Sequence, residues 1–556
     1  MPQYTLGLDY GTSSVRGLLV DTADGKEVAA GEFAYPHGMD GVLTDARDTL
    51  AARQHPQDYL DGAVAVIRGA LAAASHVPGF AANQVVGLGV DTTGSSPLPA
   101  NAEGVPLALT PEFQDNLGAM VFLWKDHTAH AEAAEITALA SEMRPSYLLK
   151  CGGVYSAEWF WAKILHCLRT APDVFEAAST WVEHADWMPA VLTGTERPAQ
   201  MKRGICAAGH KGLFHPQWGG YPDAEFLALL DPRLAALRRT LPDRAFAVGQ
   251  AAGGLSAGWA AKTGLPAGIP VSVGAIDAHL GAVGCGITPG TLVKNIGTST
   301  CDMMTAPLSA PMPDIPGLCG IVPESILPGF YGLEAGQSAV GDIFNWFAGT
   351  IRPAGIGHAE LTAAAGQSAP GASGLLALDW HNGNRTVLVD QRLSGALLGM
   401  TLHTTPSEMY RAWIEATAFG ARMISGRLEE YGQKVERIVA CGGIPVKSPL
   451  VMQIYADVLG RPIAVSRSSQ TAALGAAIAG AVAAGVYPSF TEAMQSMTAV
   501  QPQTFLPHPQ SRAVYEKLYA QYRRVHDAFG LRGAQPDLSG VMKELLAIRD
   551  EVRGRV

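Results

Sequence analysis

Two stretches of this sequence share one arrangement: a short apolar strand, a turn of glycine and hydroxyl residues, and a second strand. The first combines strand-like residues 4–9, the turn Gly11-Thr12-Ser13-Ser14 and strand-like residues 15–21. The second combines strand-like residues 292–296, the turn Gly297-Thr298-Ser299-Thr300 and residues 301–304. Because one copy stands near the start of each half of the chain, the repeat predicts two similar domains that face each other.

Both turns have the composition of an anion-binding site, because glycine lets the main chain approach a phosphate and the neighbouring residues offer amide and hydroxyl donors. The predicted phosphate-binding residues are Gly11, Thr12, Ser13, Gly297, Thr298 and Ser299. Asp9 ends the first strand, and a carboxylate beside phosphates is expected where Mg²⁺ lies between them. A plain β-hairpin explains one such loop equally well, but the second copy favours a bound nucleotide.

A third glycine-rich element follows the strand-like residues 437–440. Gly442 and Gly443 permit close approach of a flat ligand such as adenine, Lys447 lies in the same turn, and a helix is predicted from Pro449. Such a turn is weak as a lone motif, since glycine turns after strands are common. The GxxxxGK[ST] pattern of a Walker-type loop does not occur.

Asp277 is the acid best placed for chemistry. It follows the strand-like residues 269–273 among small residues, which predicts a position at the carboxyl end of a strand, where ligands of α/β sheets bind. A kinase needs a base to accept the proton of the attacking hydroxyl, and a carboxylate suits that role. The alternative for any single Asp in such a place is a helix cap.

Composition limits the remaining function classes. A chain of 556 residues is too long for one core, and 40 Lys+Arg against 50 Asp+Glu give a net charge of −10, without the electrostatic footprint of a nucleic-acid-binding protein. Seven scattered cysteines predict reduced thiols. The longest small-apolar stretch, residues 474–487, is too short to span a bilayer, so we expect a soluble cytoplasmic protein. The sequence 254–258 matches GxSxG, but the residues before it look like a loop, so Ser256 is interpreted as a helix cap and serine catalysis as a remote alternative.

These elements occur in the order typical of the FGGY carbohydrate kinases, which the chain resembles from residue 4 to about residue 490. The helix after residues 394–399 is similar to the C-terminal signature of that family. The part that matches this signature ends at Glu415, and it departs from the signature at Trp413, where a smaller residue is usual. Longer strings resemble the members that phosphorylate ribulose, namely residues 90–95, 123–128, 158–166, 208–211 and 332–338.

The resemblance implies an α/β fold of two actin-like (ribonuclease H-like) ATPase domains with a cleft between them. The implied segments are an N-terminal domain at 1–287, a C-terminal domain at 288–490, and a linker and helical tail at 491–556. A capping box at Thr405 predicts a long helix in the second domain. A helical period from Val514 to Val525 makes the tail a structural or oligomer-forming candidate, with a homodimer as the assembly to test.

The resemblance also implies ATP and Mg²⁺ as cofactors and a ketopentose as the small-molecule partner. Asp277 would be the general base, and Gly94, Ser95, Lys211 and Glu334 would hold the sugar. Gly442, Gly443 and Lys447 would contact the adenosine, although many relatives have Asn where this chain has Lys447. Two alternatives stay open: another acceptor such as xylulose, glycerol or a sugar alcohol, and an actin-like or chaperone-like ATPase without a sugar substrate.

Overall fold

Two seven-stranded mixed sheets dominate the fold, one in each half of the chain. The computed structural model describes residues 2–352 and 355–554. Helices connect the strands in both halves, so the predicted α/β class is confirmed. Within the described ranges, no helix is both long enough and apolar enough to cross a membrane.

The strands of the first half are β1 (Tyr4–Tyr10), β2 (Ser14–Asp21), β3 (Glu27–Ala34), β4 (Leu43–Asp45), β5 (Asp48–Gln54), β6 (Val85–Thr92), β7 (Pro97–Ala100), β8 (Val121–Phe122), β9 (Thr180–Glu183), β10 (Ala251–Gly254), β11 (Pro270–Ser272) and β12 (Ala275–Ile276). Its helices are α1 (Pro56–Ala74), α2 (His130–Met143), α3 (Pro145–Leu149), α4 (Phe160–Thr170), α5 (Pro172–Ala177), α6 (His184–Thr193), α7 (Ile205–Gly212), α8 (Ala224–Leu230), α9 (Pro232–Arg238), α10 (Ala257–Thr263) and α11 (Asp277–Gly284).

The strands of the second half are β13 (Thr291–Ile296), β14 (Thr300–Pro307), β15 (Gly320–Pro323), β16 (Phe330–Ala335), β17 (Leu376–Leu378), β18 (Ala396–Leu398), β19 (Arg437–Cys441), β20 (Ile463–Ser466) and β21 (Val500–Phe505). Its helices are α12 (Gly341–Trp346), α13 (His358–Gln367), α14 (Pro406–Glu430), α15 (Gly443–Lys447), α16 (Pro449–Leu459), α17 (Thr471–Ala483), α18 (Phe490–Met497), α19 (Pro509–Gly530) and α20 (Val541–Val552).

The two sheets are built on one plan. In the first, the antiparallel strands β3, β2 and β1 are followed by β6 and β11, which run parallel to β1. In the second, the antiparallel strands β16, β14 and β13 are followed by β19 and β20, which run parallel to β13. The duplicated strand–turn–strand of the sequence therefore forms the hairpins β1–β2 and β13–β14. The first strand of each hairpin pairs with a parallel strand, β6 or β19.

At the boundary between the halves, one helix of each half packs on the sheet of the other. Helix α17 packs on β1 and β6 of the first sheet, and α11 packs on β13 and β14 of the second. Gly7 and Gly89 are register partners beneath α17, where a Cβ at either would meet the main chain of Ala473 or Ala476. Most of the small-apolar stretch 474–487 therefore lies in the packing helix α17. Its contact with the first sheet needs small residues on the helix and on the strands. The boundary at 287/288 falls in the turn between α11 and β13 and stays a prediction.

Local sequence signals set the predicted helix starts. The Thr405 Oγ1 accepts from the Glu408 amide at 3.4 Å, and the Glu408 carboxylate accepts from the Thr405 amide at 2.9 Å. A cap of this kind contributes about 1 kcal/mol. Ser256 caps α10 by accepting from the Trp259 amide at 3.3 Å, as predicted. The loop expected before it was wrong, because residues 251–254 form β10 and pair antiparallel with β11.

The residues after 490 are integrated into the second half. The predicted helical period lies in α19, whose buried side chains join the second core. Part of the predicted linker is not a linker, because residues 500–505 form β21 and pair antiparallel with β20 at the sheet edge. The Tyr522 hydroxyl donates to the Asp379 carboxylate at 3.1 Å, which fixes the tail to the residues around β17.

Candidate functional site

The first predicted phosphate loop joins β1 to β2 and is closed by a hydrogen bond from the Gly11 amide to the Ser14 carbonyl at 3.0 Å. Two side chains from other elements hold Thr12. The Trp124 indole donates to its hydroxyl at 3.0 Å, and the Gln54 amide donates to its carbonyl at 2.7 Å. Thr12 thus faces the cleft in a fixed position, whereas Ser13 is exposed.

The second predicted phosphate loop is also closed by a main-chain hydrogen bond, here one residue shorter, from the Gly297 amide to the Ser299 carbonyl at 3.0 Å. Its main chain is held by the start of α12. The Gly341 amide donates to the Gly297 carbonyl at 3.0 Å, and the Asp342 amide donates to the Thr298 carbonyl at 3.1 Å. All three predicted residues of this loop line a cavity of about 850 Å³ that also reaches Thr12. The structure therefore brings the two loops to one cleft.

Three carboxylates converge at the first sheet. Asp9 and Asp91 are register partners at the ends of β1 and β6, and Asp277 follows β12, which pairs with β6. Burial and the neighbouring Asp9 charge hold the pKa of Asp91 well above its usual range. Burial also raises the pKa of Asp9, while the hydrogen bond with Asp91 opposes that shift.

Asp91 is the acid whose role the sequence did not assign. Among the residues described, neither of its carboxylate oxygens receives a hydrogen bond from a main-chain or side-chain donor. A fully buried carboxyl without donors is costly, and oxygen ligands are those that Mg²⁺ prefers. The signal in the sequence was its strand-end position, which matches that of Asp9, but residues 90–95 were noted for the family resemblance only.

Asp277 begins α11 at the wall of the cavity. Burial and the Asp9 charge raise its pKa to about 7, although the Ala278 amide, which donates to it at 2.6 Å, and the Lys211 charge oppose the shift. A carboxylate with this pKa can take up a proton near neutral pH. The alternative interpretation of Asp277 was a helix cap. Asp277 does lie at the start of a helix, but the N-cap residue of α11 is Ile276, and no side chain within the described ranges caps this helix.

Lys211 and Glu334 form an ion pair across the cleft. Lys211 comes from α7 of the first half and Glu334 from β16 of the second, and the ammonium lies 2.9 and 3.1 Å from the two carboxylate oxygens. Burial would raise the pKa of Glu334, but Lys211 and His210 hold it well below its usual range. Both side chains are buried and line the cavity, so the surface location usual for a lysine does not apply to Lys211.

A histidine pair adjoins this ion pair. The Nδ1 atom of His210 lies 3.1 Å from Glu334, and the Nε2 atom of His279 lies 3.7 Å from it. These three groups have the spacing of a metal site. The Lys211 ammonium already occupies the Glu334 carboxylate, however, so the aspartates at the first sheet fit a divalent cation better. A second cluster with such spacing, His37, His55 and Asp58, lies outside the cavity.

The loop at residues 94–96, which is predicted to hold the sugar and is called the sugar-side loop, contributes Gly94 to the cavity, whereas Ser95 is fully buried behind it. The Ser95 hydroxyl donates to the Glu183 carboxylate, and the Ser96 amide donates to the same group at 2.7 Å. The Ser95 side chain is therefore occupied by the protein, and a contribution of this loop to a ligand would come from its main chain.

The third glycine element lies beside the second phosphate loop but does not line the cavity. Gly442 has φ +96°, and a Cβ there would stand 2.6 Å from the Ile296 carbonyl oxygen, so this position needs glycine. Gly443 and Lys447 are exposed at the two ends of α15. They form a separate surface next to the phosphate loop.

The cavity also has walls that the site prediction missed. Glu158 lies 3.8 Å from both His127 and Arg385, and its contact with Arg385 is a second connection between the two halves. The tail contributes Arg532 to the cavity wall. Glu158 and His127 belong to strings that were noted for their resemblance only. Arg385 and Arg532 stand in loops without any local motif, so only the tertiary structure places them at the cleft.

Comparison with known proteins gives a consistent picture. Residues 4–284 match the model of the N-terminal domain of the FGGY family of carbohydrate kinases, and residues 292–484 match its C-terminal domain. A protein named ribulokinase from Halalkalibacterium halodurans is 43% identical over 98% of this chain and 98% of its own length. Another from Vibrio parahaemolyticus is 42% identical over 94% of this chain and 95% of its own length.

Solved structures share the fold at lower sequence identity. A ligand-bound xylulose kinase from Lactobacillus acidophilus has a TM-score of 0.77 and 20% identity, covering 95% of this chain and 99% of that one. A Plasmodium falciparum glycerol kinase with ADP has a TM-score of 0.75 and 14% identity, covering 96% of this chain and 99% of that one. The predicted fold of two actin-like domains is confirmed.

Proposed function

The chain belongs to the FGGY family of carbohydrate kinases, and we propose that it transfers the γ-phosphoryl group of ATP to the O5 hydroxyl of L-ribulose. The product would be ribulose 5-phosphate, and D-ribulose, related pentuloses or pentitols are further candidate acceptors. The choice of sugar is supported by relatives named ribulokinase that are 42–43% identical over nearly the whole chain.

One observation carries the proposal. Asp277, the Lys211–Glu334 pair and the loop 297–299 line the same cavity of about 850 Å³. A base thus lies between groups that suit sugar hydroxyls and a loop that suits phosphate. An ATPase without a small acceptor would not need the buried ion pair at this point.

The chemistry follows from these positions. Asp277 accepts the proton of the O5 hydroxyl, the oxygen attacks the γ-phosphorus, and the bond from that phosphorus to the β,γ-bridging oxygen breaks. ADP leaves with the electron pair of that bond. Lys211 and Glu334 offer donors and acceptors to the other hydroxyls, and Gly94 bounds the sugar side. General-base assistance of this kind contributes roughly 10²–10⁴-fold.

Asp9 and Asp91 would hold a Mg²⁺ ion, since they supply oxygen ligands and Asp91 lacks donors from the described residues. When bound, the ion would neutralise charge on the β- and γ-phosphate oxygens. Gly11, Thr12 and Ser13 on one side and Gly297, Thr298 and Ser299 on the other would donate to the phosphates. Gly442, Gly443 and Lys447 would border the adenosine.

The test is ADP release with Mg-ATP across L-ribulose, D-ribulose, xylulose, ribitol and glycerol. We expect the highest kcat/KM with L-ribulose. A preference for glycerol or xylulose would replace the proposed sugar and keep the reaction. ATP turnover that no acceptor stimulates would overturn the proposal in favour of an actin-like or chaperone-like ATPase, and filament formation with ATP would support that outcome.

A further inference from the structure

We propose that Lys163 is a positioning residue that ties the sugar-side loop at residues 94–96 to the first phosphate loop. The inference rests on the proposed function, because it assigns the two loops to the two substrates. Lys163 lies on α4, outside the cavity lining, and is fully buried.

The Lys163 ammonium joins two separate main-chain segments. It donates to the Ser95 carbonyl at 2.8 Å and to the Leu123 carbonyl at 2.8 Å. Ser95 follows Gly94, which lines the cavity, and Leu123 precedes Trp124, which also lines it. One buried cation therefore fixes the distance between two parts of the cavity wall.

Glu183 holds the sugar-side loop from its other side, since it accepts from the Ser96 amide at 2.7 Å and from the Ser95 hydroxyl. The loop is thus clamped between a buried acid and a buried base. Burial lowers the pKa of Lys163 to about 7, while attraction to Glu183 opposes that shift. Lys163 and Glu183 thus contact the loop from two sides, through the Ser95 carbonyl and the Ser96 amide.

The connection continues to the phosphate loop. The Trp124 indole donates to the Thr12 hydroxyl at 3.0 Å, and the Thr12 carbonyl accepts from Gln54 at 2.7 Å. A continuous series of hydrogen bonds therefore runs from Ser95 through Lys163 and the 123–124 segment to Thr12. A displacement of the sugar-side loop would be transmitted to the loop that receives the phosphates.

Stability alone does not call for this arrangement. A buried charge is expensive, and an apolar side chain of similar volume often supports a fold equally well or better. What an apolar residue cannot supply is two donors directed at two carbonyls. The arrangement suits accurate placement, because an error of about 1 Å in a reacting geometry can cost about 10²-fold in rate.

The test uses Lys163→Met, Trp124→Phe and the double variant in steady-state assays. For Lys163→Met we expect the KM of the sugar to rise about tenfold or more and kcat to fall, because the sugar-side loop loses its fixed position. The double variant should lose less than the product of the two single losses, by about threefold or more, because both changes interrupt one series of hydrogen bonds.

Lys202→Met is the matched control. Lys202 also donates to a main-chain carbonyl, that of Ala251 at 2.6 Å, but it does not line the cavity, so its loss should leave the sugar KM unchanged. An unchanged sugar KM in folded Lys163→Met, or multiplicative losses in the double variant, would overturn the proposal. If Lys163→Met does not fold, Glu183→Gln takes its place, because it keeps the shape of the acid; an unchanged sugar KM there overturns the proposal as well.

The acceptor in these assays is the one that the wild-type protein phosphorylates fastest. If that acceptor is not a pentulose, the proposed substrate fails while the connection between the loops is still measured. If pentulose activity is present and the double variant shows independent losses, the proposed function stands and the positioning role fails.

Discussion

The two sheets share one topology but differ at the strand ends that face the cleft. Where the first half has Asp9 opposite Asp91, the second half has Asn295 opposite Cys441 at the corresponding ladder position. Both positions precede a glycine turn that is closed by an amide–carbonyl bond of 3.0 Å. The scaffold is therefore duplicated, whereas the charge is present on one side only.

Under the proposed function, this difference separates the tasks of the two halves. Three neighbouring carboxylates lie in the first half, and burial together with the Asp9 charge raises the pKa of Asp91 and of Asp277. At the corresponding strand ends the second half has the uncharged Asn295 and Cys441, and its Glu334 carboxylate is paired with Lys211. A nucleotide that is itself an anion fits the second half better, and metal binding and proton transfer fit the first.

The largest expected effect comes from removing the base of the first half. Asp277→Asn should lower kcat by roughly 10²–10⁴-fold while ATP still binds. Asp186→Asn is the matched control, since burial also raises the pKa of Asp186 to about 7 but this residue does not line the cavity. Near-normal turnover in Asp277→Asn would remove it from the mechanism.

The next effect tests the pairing of Asp9 with Asp91. Asp91→Asn should raise the Mg²⁺ concentration needed for half-maximal rate by roughly 10–100-fold. The counterpart change Cys441→Ser in the second half should leave the Mg²⁺ dependence unchanged. Equal Mg²⁺ dependence in wild type and Asp91→Asn would end the assignment of the metal to the first sheet.

The same variant has a stability consequence without metal. Because the pKa of Asp91 is raised in the folded state, the folded form favours the protonated acid, and wild-type stability falls as pH rises through that pKa. Asp91→Asn should therefore unfold at a higher temperature than wild type in EDTA at pH 8. The difference should disappear below the ordinary aspartate pKa of about 4, and a lower melting temperature at pH 8 would contradict this account.

A third change makes the second half resemble the first. Asn295→Asp places a carboxylate beside the loop 297–299, and its repulsion of the phosphates should raise the KM of ATP about tenfold, which corresponds to about 1.4 kcal/mol. Asn295→Ser serves as the neutral control, which separates the added charge from the lost amide. Equal KM values in the two variants would show that charge does not distinguish the two halves.

The pH dependence gives a graded test of the same contrast. Asp277 must be ionised to accept a proton, and its pKa is about 7. Below that pH, kcat/KM should fall about tenfold per pH unit. The profile is measured with subsaturating sugar, because kcat/KM then reports the pKa of the free enzyme. A flat profile between pH 5.5 and 8 would exclude a base with this pKa.

The sequence was sufficient for the repeated hairpins, because glycine turns between apolar strands are local signals. It also made Asp9 and Asp277 candidates, since Asp9 lies near the end of a strand and Asp277 directly follows one. Asp91 was not made a candidate, because its position opposite Asp9 depends on the pairing of β1 with β6. The pairing of Lys211 with Glu334 needed the tertiary structure, since the two residues come from different halves.

The smallest expected effect concerns a feature that only the second half has, the tail helix α19. Tyr522→Phe removes the hydrogen bond to Asp379 and should cost about 1 kcal/mol of unfolding free energy. Burial raises the pKa of Asp379 to about 6, although Gln337 and Tyr522 oppose the shift by bonding to its charged form. The loss should therefore be larger at pH 8, where Asp379 is ionised, than at pH 5, where it is protonated.

Tyr519→Phe is the control, because its hydroxyl contacts only the Met423 sulfur, at 3.0 Å, among the hydrogen bonds of the described residues. Urea unfolding at the two pH values measures the effect, and an equal loss at both would show that the tail is anchored by packing rather than by this bond.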